Sequence, residues 1–249
     1  MIANATQTVP VMGHLVMGYP SPDVSFQMAR QYVQAGLQFL ELQIPFSHPT
    51  ADGPLITQAN QQALQHGMTM TRCLDFIARL RAEFPQQSIA VMTYANKAIA
   101  YGLDALRAAL SKLQVQALIL PDLPFDDPQL LSFYDGSAPA CMPVIAPNIS
   151  PARLNQLLAL QPKWVYMMAG YKITGGAFSL DGRIAALASQ LKRAGAKVGI
   201  GFGINTAQDV NAVLQVADFA IVGSALLAAQ AQNDLNGKLA ELAQCNRPG

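Results

Sequence analysis

The run Leu40-Glu41-Leu42-Gln43-Ile44-Pro45-Phe46-Ser47-His48-Pro49-Thr50-Ala51-Asp52-Gly53-Pro54 changes character part-way along. Its first part, with Gln38 and Phe39 before it, is an apolar strand pattern carrying one carboxylate, Glu41. Its second part breaks into a loop carrying another, Asp52. A short, nearly continuous apolar run of this kind suits a strand buried on both faces, as in a parallel sheet. Acid–base chemistry needs positioned ionisable groups, and here one lies on a rigid element and one on a loop.

Seven further runs read the same way: Val11–Met17, Ser88–Tyr94, Gln116–Leu120, Met142–Ala146, Lys163–Met168, Lys197–Gly201 and Asp218–Val222. Helical periodicity lies between them, as in Val24–Gln34, Thr71–Ala82, Asp104–Leu113, Pro151–Leu160, Asp181–Arg193 and Ala207–Val216. Ser150-Pro151 reads as an N-cap followed by proline at the first helical position. Gly36 and Gly195 each follow a helix, where C-terminal stops belong. Eight βα units in 249 residues match an α/β fold of the (β/α)8 TIM-barrel kind. No linker, low-complexity segment or charge block divides the chain, so residues 1–249 read as one domain. An open doubly wound sheet is the competing architecture.

Composition narrows the function. Hydrophobic residues make up 51% and charged residues 12%, about half the roughly 25% charge of ordinary soluble domains. Two readings of this stay open: a surface covered by a partner, or a neutral surface rich in Ala and Gln. The net charge of +1, with no basic run, argues against nucleic acid or an anionic membrane as partner. No apolar stretch is long enough to span a bilayer, and Met1–Thr8 is too short and polar for a signal peptide. Cys73, Cys141 and Cys245 have neither metal spacing nor a disulfide pattern. The expected location is the reducing cytoplasm.

A barrel carries its active site at the C-terminal ends of its strands. Glu41, Tyr94, Asp122 and Tyr166 fall at or near such ends. The longest strand-to-helix connections follow the second and sixth strands, and long loops on that face are candidate lids. Two glycine-rich turns follow the last two strands, Gly199–Asn205 and Val222-Gly223-Ser224-Ala225, the latter opening the final helix. Small residues let backbone N–H groups approach an anion, and a helix N-terminus adds a favourable dipole. In barrels these two loops are a frequent phosphate site. Gly175-Gly176, after the sixth strand, extends the same cradle.

Glu41–Pro54, Met92-x-Tyr94-Ala95-Asn96, Asp122-Leu123-Pro124, Thr174-Gly175, Gly201-Phe202-Gly203 and Gly223-Ser224 together resemble the tryptophan synthase alpha subunit family, in its order and at its spacing. The first motif is the specific one. The resemblance implies a (β/α)8 barrel that cleaves indole-3-glycerol phosphate by a retro-aldol reaction to indole and glyceraldehyde 3-phosphate. It implies no cofactor in this chain, and a beta-subunit partner that carries pyridoxal phosphate and receives the indole. By the same resemblance Glu41 is the catalytic acid–base, Asp52 the loop carboxylate at the indole N–H, and Tyr166 the tyrosine beside the glutamate. Tyr94, Thr174, Gly175, Gly203, Gly223 and Ser224 are then substrate-binding, the glycines and Ser224 at the phosphate. Thr174 would meet Asp52 on lid closure. A glutamate on an apolar strand suits this chemistry, because burial lets a carboxyl hold a proton near neutrality. The alternative is a buried structural ion pair, but no basic residue lies near Glu41 in its own strand.

The chain departs from the family in four places. Gln43 replaces a glycine, and by strand alternation it shares the face of Glu41, with Cα atoms roughly 6.6 Å apart. From there it is expected to crowd the substrate and hydrogen-bond the Glu41 carboxylate. His48 replaces an aspartate in the loop facing the beta subunit, which weakens any ion pair there. Ala169–Gly175 lacks the family's Ser-Arg pair and has Lys172 nearby, and lysine does not reproduce arginine geometry. His14, Val16 and Tyr19 replace an aromatic residue, threonine and aspartate in the first strand, and the segment before it is shorter than the family's N-terminal helix. His14, His48 and His66 form no metal-ligand pattern. These departures keep two other functions open: a stand-alone or repurposed lyase for another phosphorylated aldol, and a non-catalytic subunit that activates a beta-type partner.

Overall fold

The computed structural model describes residues 8–126, 134, 138–169, 180 and 182–245. These contain nine strands: β1 (Val9–Val16), β2 (Leu37–Gln43), β3 (Ser88–Met92), β4 (Ala117–Ile119), β5 (Ala140–Cys141), β6 (Val144–Ile145), β7 (Trp164–Met168), β8 (Lys197–Gly201) and β9 (Phe219–Val222). The helices are α1 (Pro22–Gln34), α2 (Pro54–Gln65), α3 (Met70–Glu83), α4 (Ala95–Tyr101), α5 (Leu103–Lys112), α6 (Pro151–Ala159), α7 (Gly182–Arg193), α8 (Ala207–Leu214), α9 (Ser224–Ala231) and α10 (Leu235–Leu242). Every strand pair is parallel.

The hydrogen-bonded order is β5-β4-β3-β2-β1-β9-β8-β7-β6. Its two ends, β5 and β6, are halves of one short segment separated by Met142-Pro143. Pro143 has no N–H to donate to a ladder. Instead Met142 N donates to Leu118 O (2.9 Å) and Tyr166 N to Pro143 O (2.9 Å), so the two neighbouring strands are bridged through the break. Eight barrel positions therefore appear as nine short strands, and the fifth expected run is the divided one. The sheet also closes on itself through its side chains. Phe39 of β2 packs edge-on against Trp164 of β7, four ladder steps away, with ring centroids 5.4 Å apart.

Strand alternation sorts the apolar residues into two cores. Met12, Phe39, Met92, Ile119, Phe219 and Ile221 belong to a buried cluster inside the curl. Their neighbours Val11, Leu15, Leu40, Leu42 and Val91 pack outward with the helices in a larger cluster. Burying one such side chain contributes roughly 1.5–3 kcal/mol.

The helices start where the local chemistry dictates. Ser21, Thr69, Ser150 and Thr206 each accept a backbone N–H of the first turn, satisfying donors with no partner inside the helix. Gly36 and Gly195 have φ of 81° and 92°, the left-handed conformation of a helix stop. Helix α9, opened by Ser224, is followed by α10 and so is not the last.

Candidate active site

Register decides what meets at the barrel mouth. Strands β1 and β2 pair so that His14 lies opposite Glu41 and Val16 opposite Gln43. His14, Glu41 and Gln43 are all buried. His14 Nδ1 lies 3.4 Å from Glu41 Oε1. The basic group missing from the local sequence of Glu41 is thus supplied by the neighbouring strand. Sequence reading noted His14 only as a departure. Its signal was the alternation of β1, which puts His14 on the interior face with Met12.

Gln43 does not take the partner expected of it. Its Nε2 donates to Asp52 Oδ2 at 2.7 Å rather than to Glu41, with a longer contact of 3.4 Å to Asn60 Oδ1. Asn60, which sequence reading missed, is fully buried on α2. Its Oδ1 also accepts from Phe46 N (2.8 Å), and its Nδ2 donates to Ile56 O (2.8 Å). One polar side chain on the inner face of α2 thus anchors the start of the Asp52 loop. A lone Asn between Ala59 and the apolar face of a helix was the available signal.

The far end of that loop is tied to the turn after β3. Ala51 N donates to Tyr94 OH (3.1 Å), and the Tyr94 ring stacks on Phe46, centroids 5.1 Å apart. Asp52 is half-buried. Burial pushes its carboxyl up from the usual value, and Glu41 adds to this. His14 and hydrogen bonding from Gln43 and Tyr94 act the other way without cancelling the rise. His48 is exposed, with Nδ1 2.8 Å from Ser47 Oγ. Asp122 accepts from Ala95 N (2.8 Å) and so fastens the first turn of α4.

Tyr166 enters from β7. Burial, then the charges of Glu41 and Asp52, hold its phenol well above its ordinary range, so it stays a neutral donor. Its hydroxyl lies against Gly201, where a β-carbon would collide with it. The glycine of the seventh barrel strand is therefore needed to make room for Tyr166.

Gly223 caps α9 without any side-chain hydrogen bond, whereas α8 is closed by a capping box of Thr206 and Asp209. The start of α9, with Ser224 exposed, is an open helix N-terminus on this face. A β-carbon on Gly223 would lie 3.6 Å from His14 Cβ, so this turn adjoins the His14–Glu41 pair. Gly203 follows β8 at φ 76°. Thr174 and Gly175, with Gly176 and Lys172, lie outside the described residues.

Residues 3–247 match the family model for the tryptophan synthase alpha chain. The chain belongs to the tryptophan synthase alpha chain family. The alpha chain of Syntrophotalea carbinolica is 35% identical over 229 residues, covering 88% of this chain and 87% of that one. That of Halalkalibacterium halodurans is 32% identical, covering 89% and 85%. A structure of Mycobacterium tuberculosis tryptophan synthase superposes with a TM-score of 0.85 at 28% identity, covering 98% of this chain and 95% of that one.

Within this alpha-chain family member, the mouth of the barrel joins Glu41, Asp52, Tyr94 and Tyr166 to the open turn at Gly223-Ser224. It also contains His14 and Gln43, which lie beside the two carboxylates, His14 at Glu41 and Gln43 at Asp52. No described helix is long and apolar enough to cross a membrane.

Proposed function

We propose that this chain is an alpha-type lyase that cleaves indole-3-glycerol phosphate to indole and glyceraldehyde 3-phosphate. The observation that carries this reading is a buried strand carboxylate, Glu41, facing a half-buried loop carboxylate, Asp52, beside the uncapped N-terminus of α9, in a member of this family.

Each part has a chemical task. The α9 N-terminus offers backbone N–H groups and a helix dipole to the substrate phosphate, as open helix starts do for anions. Glu41, in its acid form, protonates indole C3. As a carboxylate it then takes the proton of the glycerol hydroxyl on the carbon attached to the ring. The C–C bond breaks as that hydroxyl becomes the aldehyde carbonyl, and its electrons restore the aromatic indole. One proton enters and one leaves, so Glu41 ends as it began. Asp52 accepts the indole N–H and balances positive charge there while C3 is protonated. Neutral Tyr166 donates a hydrogen bond near the carboxylates. The apolar interior beneath them keeps water from the carbon acid.

The partner in this reading is a beta subunit with pyridoxal phosphate, which consumes the indole. Cys73, Cys141 and Cys245 are buried thiols outside any disulfide, which suits a reducing cytoplasm. Gln43 favours a second reading, a lyase for another phosphorylated aldol, because its side chain occupies the mouth beside Glu41. The test is indole release from indole-3-glycerol phosphate by the wild type, Glu41→Gln and Asp52→Asn, each with and without a beta subunit. Release by the wild type and a fall of roughly 10²-fold or more in Glu41→Gln is the expected result. A folded wild type that releases no indole in either condition overturns it, and tighter binding of another phosphate ester then selects the second reading.

A further inference from the structure

We infer that His14 is a positioning residue for Glu41: an imidazolium held beside the Glu41 carboxylate and the Gln43 amide that binds Asp52. The inference rests on the lyase reading for its catalytic consequence, and on the His14–Glu41 distance and the two unpaired atoms for the arrangement itself.

Two buried side-chain atoms lack a hydrogen bond among the described residues, His14 Nε2 and Gln43 Oε1. Buried polar atoms of folded proteins are nearly always paired, so two orphans on neighbouring side chains need a physical reason. The amide orientation of Gln43 follows from its partners. Nε2 donates to Asp52 Oδ2 at 2.7 Å, and flipping the amide would set its oxygen against a carboxylate oxygen. Oε1 is therefore an acceptor without a donor. His14 Nδ1 faces Glu41 Oε1 at 3.4 Å. A neutral imidazole with its proton on Nδ1 leaves Nε2 as a second acceptor, which cannot serve Gln43, and one with its proton on Nε2 sets the Nδ1 lone pair against the Glu41 carboxylate. A second proton, on Nε2, makes that nitrogen a donor toward the Gln43 oxygen. The two orphan atoms are then complementary, one a donor and one an acceptor.

The charges around the ring favour that proton. Burial opposes it, but Glu41 from β2, Asp52 from the loop and hydrogen bonding to Glu41 and Gln43 outweigh burial, and the imidazole is raised above its ordinary 6.5. Tyr166 from β7 and Tyr94 after β3 face the same carboxylates as neutral phenols. Tyr32 from α1 touches only the backbone, donating to His14 O at 3.2 Å. The turn before α9 presents Gly223, an uncharged neighbour.

The arrangement has a catalytic consequence. Glu41 must gain and lose a proton in each turnover, and the imidazolium beside its carboxylate supplies the proton of the acid form with which the cycle starts. An imidazolium at one of its oxygens fixes which oxygen remains free for the substrate. Through Gln43, the orientation of the Asp52 loop is tied to the same ring.

The test has a spectroscopic arm and a kinetic arm. Imidazole ¹⁵N shifts of labelled protein are followed with pH for the wild type, Glu41→Gln and Gln43→Ala. Wild-type His14 is expected to be doubly protonated at neutral pH, and to titrate about one pH unit lower or more in Glu41→Gln. A singly protonated, neutral His14 in the wild type at neutral pH overturns the inference. In the kinetic arm, His14→Phe is expected to lower kcat roughly 10- to 100-fold with a smaller change in KM, the scale for disturbing a placed acid–base group. The pH profile of kcat should shift, and His14→Asn should keep the fold without restoring the profile. A folded His14→Phe enzyme with the wild-type kcat and profile overturns the catalytic role. If wild type releases no indole, the lyase reading fails and the titration alone decides the arrangement.

Discussion

The Gln43 amide donates to the Asp52 carboxylate over 2.7 Å, tying the loop after β2 to the strand that carries Glu41. Asp-Gly-Pro is good turn chemistry and would leave Asp52 at an exposed bend if nothing held it. Gln43 and Asn60 together turn that bend inward.

Gln43→Ala should therefore release the loop. Losing a hydrogen bond to a charged group costs ~1.5–3 kcal/mol. Urea unfolding should show that loss, and amide hydrogen exchange over residues 44–53 should quicken. Unchanged exchange in the folded variant would mean the loop is held by Tyr94 and Asn60 alone.

Asn60→Ala is expected to cost ~1–3 kcal/mol, because the part-buried Phe46 N loses its acceptor. Thermal or urea unfolding measures this. A loss below about 0.5 kcal/mol, the usual range of inconsequential substitutions, would show that water or a rearranged loop takes over the bond.

The pH dependence of stability has a definite sign. His14 is raised above 6.5 in the folded chain, so its contribution is fully present below 6.5 and is lost as pH rises through the folded value. Asp52, raised above 3.8, acts in the same direction in a more acidic window. Wild-type Tm should then fall as pH rises above 6.5 and through the folded value, and His14→Phe should flatten that part of the curve. Parallel curves for the two proteins would contradict the raised imidazole.

Gly201→Ala should overpack the site, since its new methyl meets the Tyr166 hydroxyl. Such insertions cost ~1–3 kcal/mol. Tyr166→Phe in the same chain removes the hydroxyl and should recover part of the loss. Additive effects in the double variant would show that the two residues do not compete for one space.

Ser224→Asp separates binding from folding. A carboxylate in the first turn of α9 stabilises the helix by ~0.3–1 kcal/mol, but repels a phosphate bound there. Tm should hold or rise while KM for the phosphorylated substrate increases roughly five- to tenfold. An unchanged KM would move the phosphate away from α9.

Much of the architecture was readable in the chain because it follows from local periodicity. The apolar runs and the caps at Ser150, Gly36 and Gly195 depend on neighbours a few residues away. The break at Pro143 was harder to read, since the run Met142–Ala146 hides a ladder that changes partner there. Asn60 escaped because burial of one face of α2 depends on what packs against it. The roles expected of Thr174 and Gly175 lie outside the described residues.

The sequence by itself determined that a buried parallel strand carries one carboxylate and the loop after it another, because composition and alternation along that one run suffice for it. It also showed that Gln43 shares the face of Glu41. Only the tertiary structure decided the partners. Gln43 reaches Asp52 rather than Glu41, and His14 meets Glu41 from the next strand. The physical reason is register. Residues 14 and 41 become neighbours only when β1 and β2 pair in one alignment, and a slip of one residue would turn either side chain to the opposite face.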